Sequence, residues 1–308
     1  MDLFEKRTLS PMLIGAEGEA FDSPDYIYEL KLDGIRCLAY LDSSGSVALL
    51  NKRGIVVTQI YPELSGIYKQ VKGRCILDGE VSILINGRTE FSAIQRRALM
   101  SNRTKIQMAA DRQPVNFTAF DLLYLDGCEL LDKPIEKRKD LLRKTVSDSP
   151  LLAVSRVIDE HGIALFDLTT QQGLEGIVAK RKGSLYYPGK RTREWIKSKN
   201  MQDDDFIILG YIPQGGILLG QYEDSSIHVK GRVISGLSGE DMRRIRSVAQ
   251  CPGPPDGVPD QSGAVWIDPV LVCTVKYMEL TSAGAMRQPV FKGFREDKIP
   301  TDCVAQRC

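Results

Sequence analysis

The chain has 308 residues, of which 43% are hydrophobic and 26% are charged, as in an ordinary globular protein. At roughly 100–200 residues per domain, this length predicts two domains. The 41 Lys and Arg residues nearly balance the 40 Asp and Glu residues, so the net charge of +1 does not by itself indicate a polyanionic ligand. This composition excludes a disordered chain, a collagen-like fibre and a coiled-coil rod.

The sequence carries no signal for a membrane or for export. It has no run of about 18 apolar residues, and its N-terminus lacks an apolar signal core. The seven cysteines form no CxxC pair, and His161 and His228 have no metal-ligand spacing, which argues against a Cys/His zinc site. We therefore expect a cytoplasmic protein with reduced thiols that is neither secreted nor bound to a membrane.

Helices and strands alternate in the first 200 residues. Residues 91–110 are predicted to be helical and carry several arginines, which suit either a solvated basic face or a nucleic-acid contact. The segment 134–146 begins with a proline, a favoured residue in the first turn of a helix, and places its apolar residues on one stripe. A third helix is predicted at 162–172, because Gly173 suits the left-handed position that follows a helix.

The character of the sequence changes after Lys199, where a short acidic run leads into β-rich segments separated by turn residues. Because these strands are short and accompany a single helix, they suit a small β-barrel. We therefore predict one domain at 1–200 and a second at 201–308. The predicted elements of the second domain are strands at 206–211, 217–222, 227–233 and 271–280, with a helix at 240–249.

The segment 26–36 concentrates charged side chains on one face of a predicted strand. Because successive side chains alternate between the two faces of a strand, Glu29, Lys31 and Asp33 share a face, and the apolar residues between them, including Leu30, are expected to pack in the core. Considered alone, this pattern also fits a ladder of surface salt bridges. The alternative to a salt-bridge ladder is that Lys31, flanked by two carboxylates, faces a pocket.

Other segments supply complementary chemical groups, although each one alone has an ordinary structural explanation. Together they provide a nucleophilic amine, carboxylates for a hard metal ion, cations for phosphate and an aromatic ring for a base, which are the groups that nucleotidyl transfer requires. The residues are Lys31, Glu80 at the end of an apolar strand, Phe120 on a mid-sheet strand, Glu175 on a strand after a helix, and Lys197 and Lys199 on one strand face.

Six ordered motifs connect these segments. They are KLDGIR at 31–36, LDGE at 77–80, FDLLYLDG at 120–127, EGIVAKR at 175–181, WIKSK at 195–199 and FKGFREDK at 291–298. In order and spacing they resemble the ATP-dependent DNA ligases, which are covalent nucleotidyltransferases, and especially the ligase module of bacterial end-joining enzymes. The resemblance implies an α+β fold: a nucleotidyltransferase domain of ATP-grasp-like antiparallel sheets with helices, followed by an OB-fold β-barrel.

The resemblance also implies a three-step reaction. Lys31 attacks the α-phosphorus of ATP to form lysyl–AMP, AMP passes to the 5′-phosphate of a nick, and the 3′-hydroxyl then displaces AMP. Because a free lysine has a pKa near about 10.4, nearby cations are needed to favour the neutral amine, and Lys197, Lys199 and a bound Mg²⁺ or Mn²⁺ are the candidates. Glu175 is the favoured metal ligand, and Glu80 is either a second ligand or a ribose contact.

Further roles follow from the same resemblance. Glu29 would accept a hydrogen bond from the adenine amino group, which guanine lacks at that position. Phe120 would stack on the purine, unless it only packs in the core. Arg36 would contact the ribose or the nick. Arg295 and Lys298 would orient the pyrophosphate leaving group, unless they belong to a solvated charge run.

Two basic segments are candidates for DNA binding. Related ligases often carry an arginine for the 5′-phosphate of the nick where this chain has Lys52, with Arg53 beside it, and the sequence leaves open which of them makes the contact. The segment 181–193 is predicted to be a loop that follows DNA phosphates, with a generic solvated loop as the alternative. Its candidate contacts are Arg181, Lys182, Arg191 and Arg193.

Other readings use the same lysine chemistry. An mRNA capping-type nucleotidyltransferase is disfavoured by Glu29 and by the FDLLYLDG and FKGFREDK motifs, and an RNA ligase by the OB-like C-terminal half. A DNA-binding protein without catalytic activity is disfavoured because every chemical group is intact. The ligase reading implies ATP and Mg²⁺ or Mn²⁺ as cofactors, nicked duplex DNA as substrate, a monomer, end-joining or repair proteins as partners, and a bacterial or phage source.

Overall fold

The computed structural model describes residues 2–85, 87–281 and 284–305. The chain divides into two compact units, Met1–Asn200 and Met201–Cys308. Each unit has its own sheets and its own apolar core. Across the described residues, no helix is both long enough and apolar enough to cross a membrane.

The helices of the first unit confirm two of the sequence predictions and correct a third. In chain order they are α1 (Leu3–Lys6), α2 (Phe91–Ala98), α3 (Arg103–Arg112), α4 (Ile135–Thr145) and α5 (Gly162–Gln171), with 3-10 helices at Thr58–Ile60 and Pro62–Gln70. The predictions of α4 and α5 are confirmed, and Gly173 has a φ of +64°. The single helix predicted at 91–110 is wrong, because Asn102 caps a new helix by accepting a hydrogen bond from the Lys105 amide.

The strands of the first unit form two larger sheets and one hairpin. In chain order they are β1 (Leu13–Glu17), β2 (Tyr26–Leu30), β3 (Ile35–Asp42), β4 (Ser46–Asn51), β5 (Arg74–Ser82), β6 (Leu84–Ile85), β7 (Arg88–Thr89), β8 (Asn116–Leu125), β9 (Cys128–Glu129), β10 (Leu152–Val154), β11 (Ile158–Asp159), β12 (Gly176–Arg181) and β13 (Arg191–Lys199).

One sheet has the order β1-β13-β12-β2-β11, and the other has the order β10-β8-β5-β3-β4, with β9 paired to β8. Most neighbouring strands are antiparallel, whereas β1 runs parallel to β13 and β10 runs parallel to β8. The remaining strands, β6 and β7, pair with each other as a hairpin.

An apolar layer lies between the two larger sheets. Ile27, Val178 and Trp195 of the first sheet pack in one cluster with Leu38 and Leu123 of the second. The opposite face of the first sheet is covered by α5, whose partly buried apolar residues pack against the strands. Side chains that point between the sheets are therefore shielded on two sides, which is the setting of the site described below.

The alternation predicted for the segment 26–36 holds for only part of its length. Tyr28 is completely buried, as expected of a core residue, but Leu30 is 36% exposed. The reason is that β2 ends at Leu30, so the strand leaves its sheet just where the charged residues Lys31 and Asp33 follow. The prediction that Leu30 packs in the core is wrong.

The second unit contains a small antiparallel barrel. Its elements are β14 (Gln202–Ile212), β15 (Gly216–Glu223), β16 (Ser226–Val233), α6 (Gly239–Arg246), β17 (Val265–Trp266), β18 (Val272–Tyr277), β19 (Val290–Phe294) and a 3-10 helix at Pro300–Asp302. The strand order is β16-β15-β14-β18-β19, and a bridge between Ser235 and Val290 joins the two ends of that order. Ser238 and Asp241 form a capping box at the start of α6.

Candidate active site

A pocket opens in the first unit, between its two larger sheets. Strands of both sheets contribute to its walls, so residues far apart in the sequence meet there. Among the side chains that line it are most of those predicted to bind the nucleotide: Glu29, Lys31, Arg36, Glu80 and Phe120, together with Lys180.

Lys31 lies immediately after β2, and its amine faces a buried carboxylate. The backbone amide of Lys31 donates to the carbonyl of Gly176 at 2.8 Å, which fixes the residue beside the start of β12. Its Nζ lies 2.7 Å from Oε2 of Glu175. The lysine side chain is 19% exposed and that of Glu175 is 3% exposed, so the lysine is partly accessible to solvent whereas the carboxylate is buried.

Glu175 was predicted to lie on a strand. In the structure it instead lies one residue before β12. Gly176 explains the position: its φ is +136°, and a Cβ built there would lie 2.1 Å from the carbonyl oxygen of Ser198. Only glycine allows β12 to begin so close to β13. The Glu-Gly pair therefore places a carboxylate at the start of β12, next to Lys31.

Lys197 and Lys199 share one face of β13 and one counterion. Their ammonium groups lie 2.9 Å and 3.7 Å from Oε2 of Glu17, the last residue of β1. Burial lowers the pKa of Lys199, and the neighbouring charges of Lys197 and Lys31 lower it further. The predicted clustering of these lysines is therefore present in the structure, whereas sequence reasoning missed Glu17, because only the parallel pairing of β1 with β13 brings it close.

Glu80 lies on β5 and is partly buried. Burial raises its pKa from 4.5 to about 8, against the opposing effect of Arg36 and Lys31, and the negative charges of Asp78 and Glu175 act in the same direction as burial. A buried carboxyl next to other carboxylates is a position that a cation would stabilise.

Glu80 and Glu175 are the two predicted metal ligands. Among the residues described, no three His, Cys, Asp or Glu side chains form a group that could hold a metal ion. Glu80 and Glu175 are nevertheless close enough for their charges to interact. Mg²⁺ commonly binds one or two protein carboxylates and completes its shell with water and substrate phosphates. The pair therefore fits a metal that binds together with a nucleotide.

We expect Glu80→Gln to stabilise the ligand-free protein at alkaline pH. Because the folded pKa of Glu80 lies above 4.5, the folded state binds this proton more tightly, and the free energy of unfolding falls as pH rises from about 4.5 towards 8. Glutamine does not titrate. The melting temperature of the variant should match that of the wild type at pH 5 and exceed it at pH 9. A difference independent of pH would contradict this assignment, and the exposed Glu129→Gln is the control.

Arg36 faces the pocket, but a protein carboxylate already holds it. Its Nε and Nη2 donate to Asp78 at 2.8 Å and 2.6 Å, and the hydroxyl of Tyr186 donates to the same carboxylate at 2.6 Å. The guanidinium carbon lies 4.8 Å from the centre of the Phe120 ring. Arg36 is thus a fixed part of the wall, and sequence reasoning did not identify Asp78 and Tyr186 as its partners.

Glu29 and Phe120 are both surrounded by cationic groups. Glu29 is 1% exposed, and its Oε1 forms ion pairs with Lys139 of α4 and with Lys180 of β12, the latter at 3.0 Å. The ammonium of Lys180 also lies 4.6 Å from the centre of the Phe120 ring. The predicted base-reading carboxylate and stacking ring are therefore neighbours, joined through Lys180.

The candidate DNA contacts lie on the surface of the first unit. Lys52 and Arg53 are exposed in the turn after β4, where the side chain of Asn51 accepts hydrogen bonds from the Arg53 and Ile55 amides. Both cations are equally available, so the geometry does not choose between them.

The loop predicted at 181–193 is shorter than expected. Arg181 ends β12 and β13 begins at Arg191, because that part of the chain pairs with β1, so Arg191 and Arg193 are strand residues. Arg181, Arg191 and Arg193 are exposed, whereas Lys182 is partly buried and lies 3.2 Å from Asp159.

In the second unit, the two predicted leaving-group residues converge on one carboxylate. Asp205 of β14 lies 3.0 Å from Nη1 of Arg295 and 2.5 Å from Nζ of Lys298, and it also accepts a hydrogen bond from Thr274 at 2.6 Å. Arg295 forms a second pair with Asp297 at 2.7 Å. Arg295 and Lys298 are therefore paired with carboxylates, although both side chains remain partly exposed.

Comparisons with known proteins identify the relatives of this chain. The family model of the ATP dependent DNA ligase domain matches residues 14–199, and that of the ATP dependent DNA ligase C terminal region matches residues 213–298. The chain is 31% identical over 322 residues to the multifunctional non-homologous end joining protein LigD of Mycobacterium bovis, covering 99% of this chain and 41% of that protein. This chain thus spans less than half the length of that relative.

A second relative has a similar length. The SPbeta prophage-derived DNA ligase-like protein LigB of Bacillus subtilis is 30% identical over 288 residues, covering 93% of this chain and 99% of that protein. Among solved structures, mycobacterial DNA ligase D complexed with ATP and MES is 30% identical, with a TM-score of 0.58 and coverage of 99% of this chain and 100% of that one.

These matches confirm the resemblance inferred from the six motifs. They also confirm the predicted fold class, a nucleotidyltransferase fold followed by an OB-fold. The family models together extend over most of the chain, and the lysine that the motifs single out lies in a pocket of the matched region. The chain therefore belongs to the ATP-dependent DNA ligase family.

Proposed function

We propose that this chain seals nicks in duplex DNA with ATP, through a lysyl–AMP intermediate on Lys31 and a DNA-adenylate. The observation that carries the proposal is the contact between the Lys31 amine and the buried Glu175 carboxylate, in a pocket that Phe120 and Arg36 also line. A partly exposed amine beside a buried carboxylate is suited to nucleophilic attack on a phosphorus atom that enters from solvent.

Besides Glu175, the charged groups assigned to this step are Lys197 and Lys199, whose ammonium groups share the carboxylate of Glu17. The same two lysines lie on the strand face where they would offset charge on the phosphates of ATP. Mg²⁺ or Mn²⁺, held by Glu175 and Glu80, would supply further positive charge at the phosphates.

We assign adenylation to the unit Met1–Asn200 and assistance to pyrophosphate release to Arg295 and Lys298 of the unit Met201–Cys308. In that assignment the two cations leave Asp205 and orient the leaving group. Asp205 would hold them ready between reaction cycles, which is consistent with the depressed pKa of Asp205: burial opposes the shift, and the contacts with Lys298, Thr274 and Arg295 outweigh it.

The exposed cations are assigned to nicked DNA. Arg181, Arg191 and Arg193 would neutralise backbone phosphates, and Lys52 or Arg53 would bind the 5′-phosphate. Contacts of this kind set affinity and its dependence on salt without reading base sequence. Relatives named LigD are non-homologous end joining proteins, so end-joining or repair proteins are the proposed partners of this chain. We further propose that the chain acts on the nick as a monomer.

A nick-sealing assay tests this proposal. The purified protein is incubated with ATP, Mg²⁺ and a duplex that carries a single 5′-phosphorylated nick in DNA, in RNA, or opposite an RNA template. We expect the DNA nick to be sealed fastest. Preferential sealing of RNA would favour an RNA ligase, and transfer of GMP rather than AMP to the protein would favour a capping-type enzyme.

Glu29→Gln is expected to weaken the use of ATP and to narrow the preference for ATP over GTP. A carboxylate accepts from the adenine amino group and finds only a carbonyl on guanine, whereas an amide can donate to that carbonyl. An unmatched buried pair costs about 1–3 kcal/mol, or roughly five- to a hundredfold. The readout is the ratio of protein–AMP to protein–GMP at equal nucleotide concentrations, and an unchanged ratio would mean that adenine is read elsewhere.

A further inference from the structure

A buried lysine outside the sequence motifs holds the carboxylate that is assigned to the base. Lys139 lies on α4, its side chain is 2% exposed, and its ammonium forms an ion pair with Oε1 of Glu29. A charged amine is almost never buried to this degree unless it is paired. The ion pair thus explains why Lys139 can be buried, and it also restricts the position of the Glu29 side chain.

The constraint leaves one carboxylate oxygen outside both ion pairs. Lys180 contacts the same Oε1 atom at 3.0 Å, so the two lysines converge on one oxygen and Oε2 lies outside either pair. Glu29 also lines the pocket, together with Phe120, whose ring contacts the ammonium of Lys180. Both carboxylate oxygens are buried, and the side chain of Ser155 also hydrogen-bonds the carboxylate, so Glu29 is held in one position.

The surrounding charges keep Glu29 ionised. Burial raises the pKa of Glu29, but Lys139 and Lys180 outweigh it and the net shift is downward. Burial and Lys180 lower the pKa of Lys139, to about 8, while Glu29 and Asp121 oppose the change. The ion pair with Glu29 therefore offsets part of the cost of burying Lys139. Replacing Lys139 would remove one of the two cations that stabilise the Glu29 carboxylate.

We propose that Lys139 is a positioning residue for base selection: it holds the ionised Glu29 carboxylate in the orientation in which that group accepts a hydrogen bond from the amino group of adenine and rejects guanine. This inference rests on the proposed role of Glu29. Lys180 has a different part, because it lines the pocket itself and contacts the rings of Phe120 and Trp195 at 4.6 Å and 4.4 Å. Lys139 reaches the nucleotide only through Glu29.

The test compares Lys139→Met with Lys139→Arg, in the full chain with ATP or GTP and Mg²⁺. Lys137→Met is the matched control, since Lys137 is exposed on the same helix. We expect Lys139→Met to lower the ratio of protein–AMP to protein–GMP by at least about fivefold, the effect of one unmet buried hydrogen bond. It should raise KM for ATP more than it lowers kcat, because Lys31 is intact, and Lys139→Arg should restore the ratio.

A double variant shows whether Lys139 acts through Glu29. If it does, Lys139→Met combined with Glu29→Gln should have the same nucleotide ratio as Glu29→Gln alone, because the effects of coupled residues do not add. Effects that multiply, or an unchanged ratio in Lys139→Met, would overturn the inference. If Lys139→Met does not fold, Lys139→Gln takes its place, because glutamine keeps a hydrogen-bond donor without the charge. The ratio of protein–AMP to protein–GMP is again the measurement.

Failure of the proposed function has a different signature. A wild-type protein that forms neither protein–AMP nor protein–GMP would overturn the ligase assignment and the inference with it. A wild-type protein that forms protein–AMP, together with a Glu29→Gln variant of altered ratio and a Lys139→Met variant of normal ratio, would overturn the inference alone.

Discussion

Replacing Lys31 with alanine is expected to abolish both the formation of protein–AMP and the sealing of nicks. The amine of Lys31 faces solvent above the buried carboxylate of Glu175, and alanine leaves no nucleophile in that position. Lys31→Arg should fail as well, because a guanidinium group stays protonated and does not attack. Both reactions are measured with ATP labelled in the α-phosphate, on denaturing gels.

The control for this experiment is Lys137→Ala, which removes an exposed lysine from α4. It should form protein–AMP at the wild-type rate. One further reaction separates chemistry from misfolding: a nick that already carries AMP on its 5′-phosphate bypasses the first two steps, so Lys31→Ala should retain some sealing of it. Formation of protein–AMP by Lys31→Ala would contradict the assignment of the nucleophile.

Arg295→Ala in the full chain is expected to slow the formation of protein–AMP by about 10²–10³-fold, the usual loss when one charged or hydrogen-bonding group is removed from a transition state. The reason is its assigned role in orienting pyrophosphate, which matters only in the first step. Sealing of pre-adenylylated nicks should fall much less. Single-turnover rates of the two reactions, measured separately, give the comparison.

Lys292→Ala is the matched control, because Lys292 is an exposed cation in the same motif. Its rates should differ little from those of the wild type. Asp205→Asn adds a second check: since Asp205 pairs with both Arg295 and Lys298, weakening these contacts should leave adenylation intact or accelerate it. Equal losses of Arg295→Ala in both steps would mean that Arg295 acts on DNA or on stability instead of on pyrophosphate.

Local features of the fold could be predicted from the sequence. The helices α4 and α5 follow from an apolar stripe, a proline at the start and Gly173 at the end, which are all interactions within a few residues. The strands of the second unit follow from short β-rich runs between turns. The division of 91–110 into α2 and α3 does not follow from the helical pattern, which continues across the segment, but from the cap at Asn102.

The partners of the site residues could not be predicted, because they come from distant parts of the chain. Glu17 meets Lys197 through the pairing of β1 with β13, and Lys139 meets Glu29 through the packing of α4. Both contacts depend on the tertiary arrangement of elements. Spacing along the sequence identified which residues carry reactive groups, but not which counterions hold them.

The most direct test of the account follows AMP from the protein to DNA. Wild-type protein is charged with labelled ATP and Mg²⁺, freed of ATP, digested and mapped by mass spectrometry before and after addition of nicked duplex. The account predicts AMP on the peptide that contains Lys31, and its loss from that peptide as label appears on the 5′-phosphate of the nick and then as free AMP with sealed DNA. AMP on another residue, or an adduct on Lys31 that nicked DNA does not remove, would contradict it.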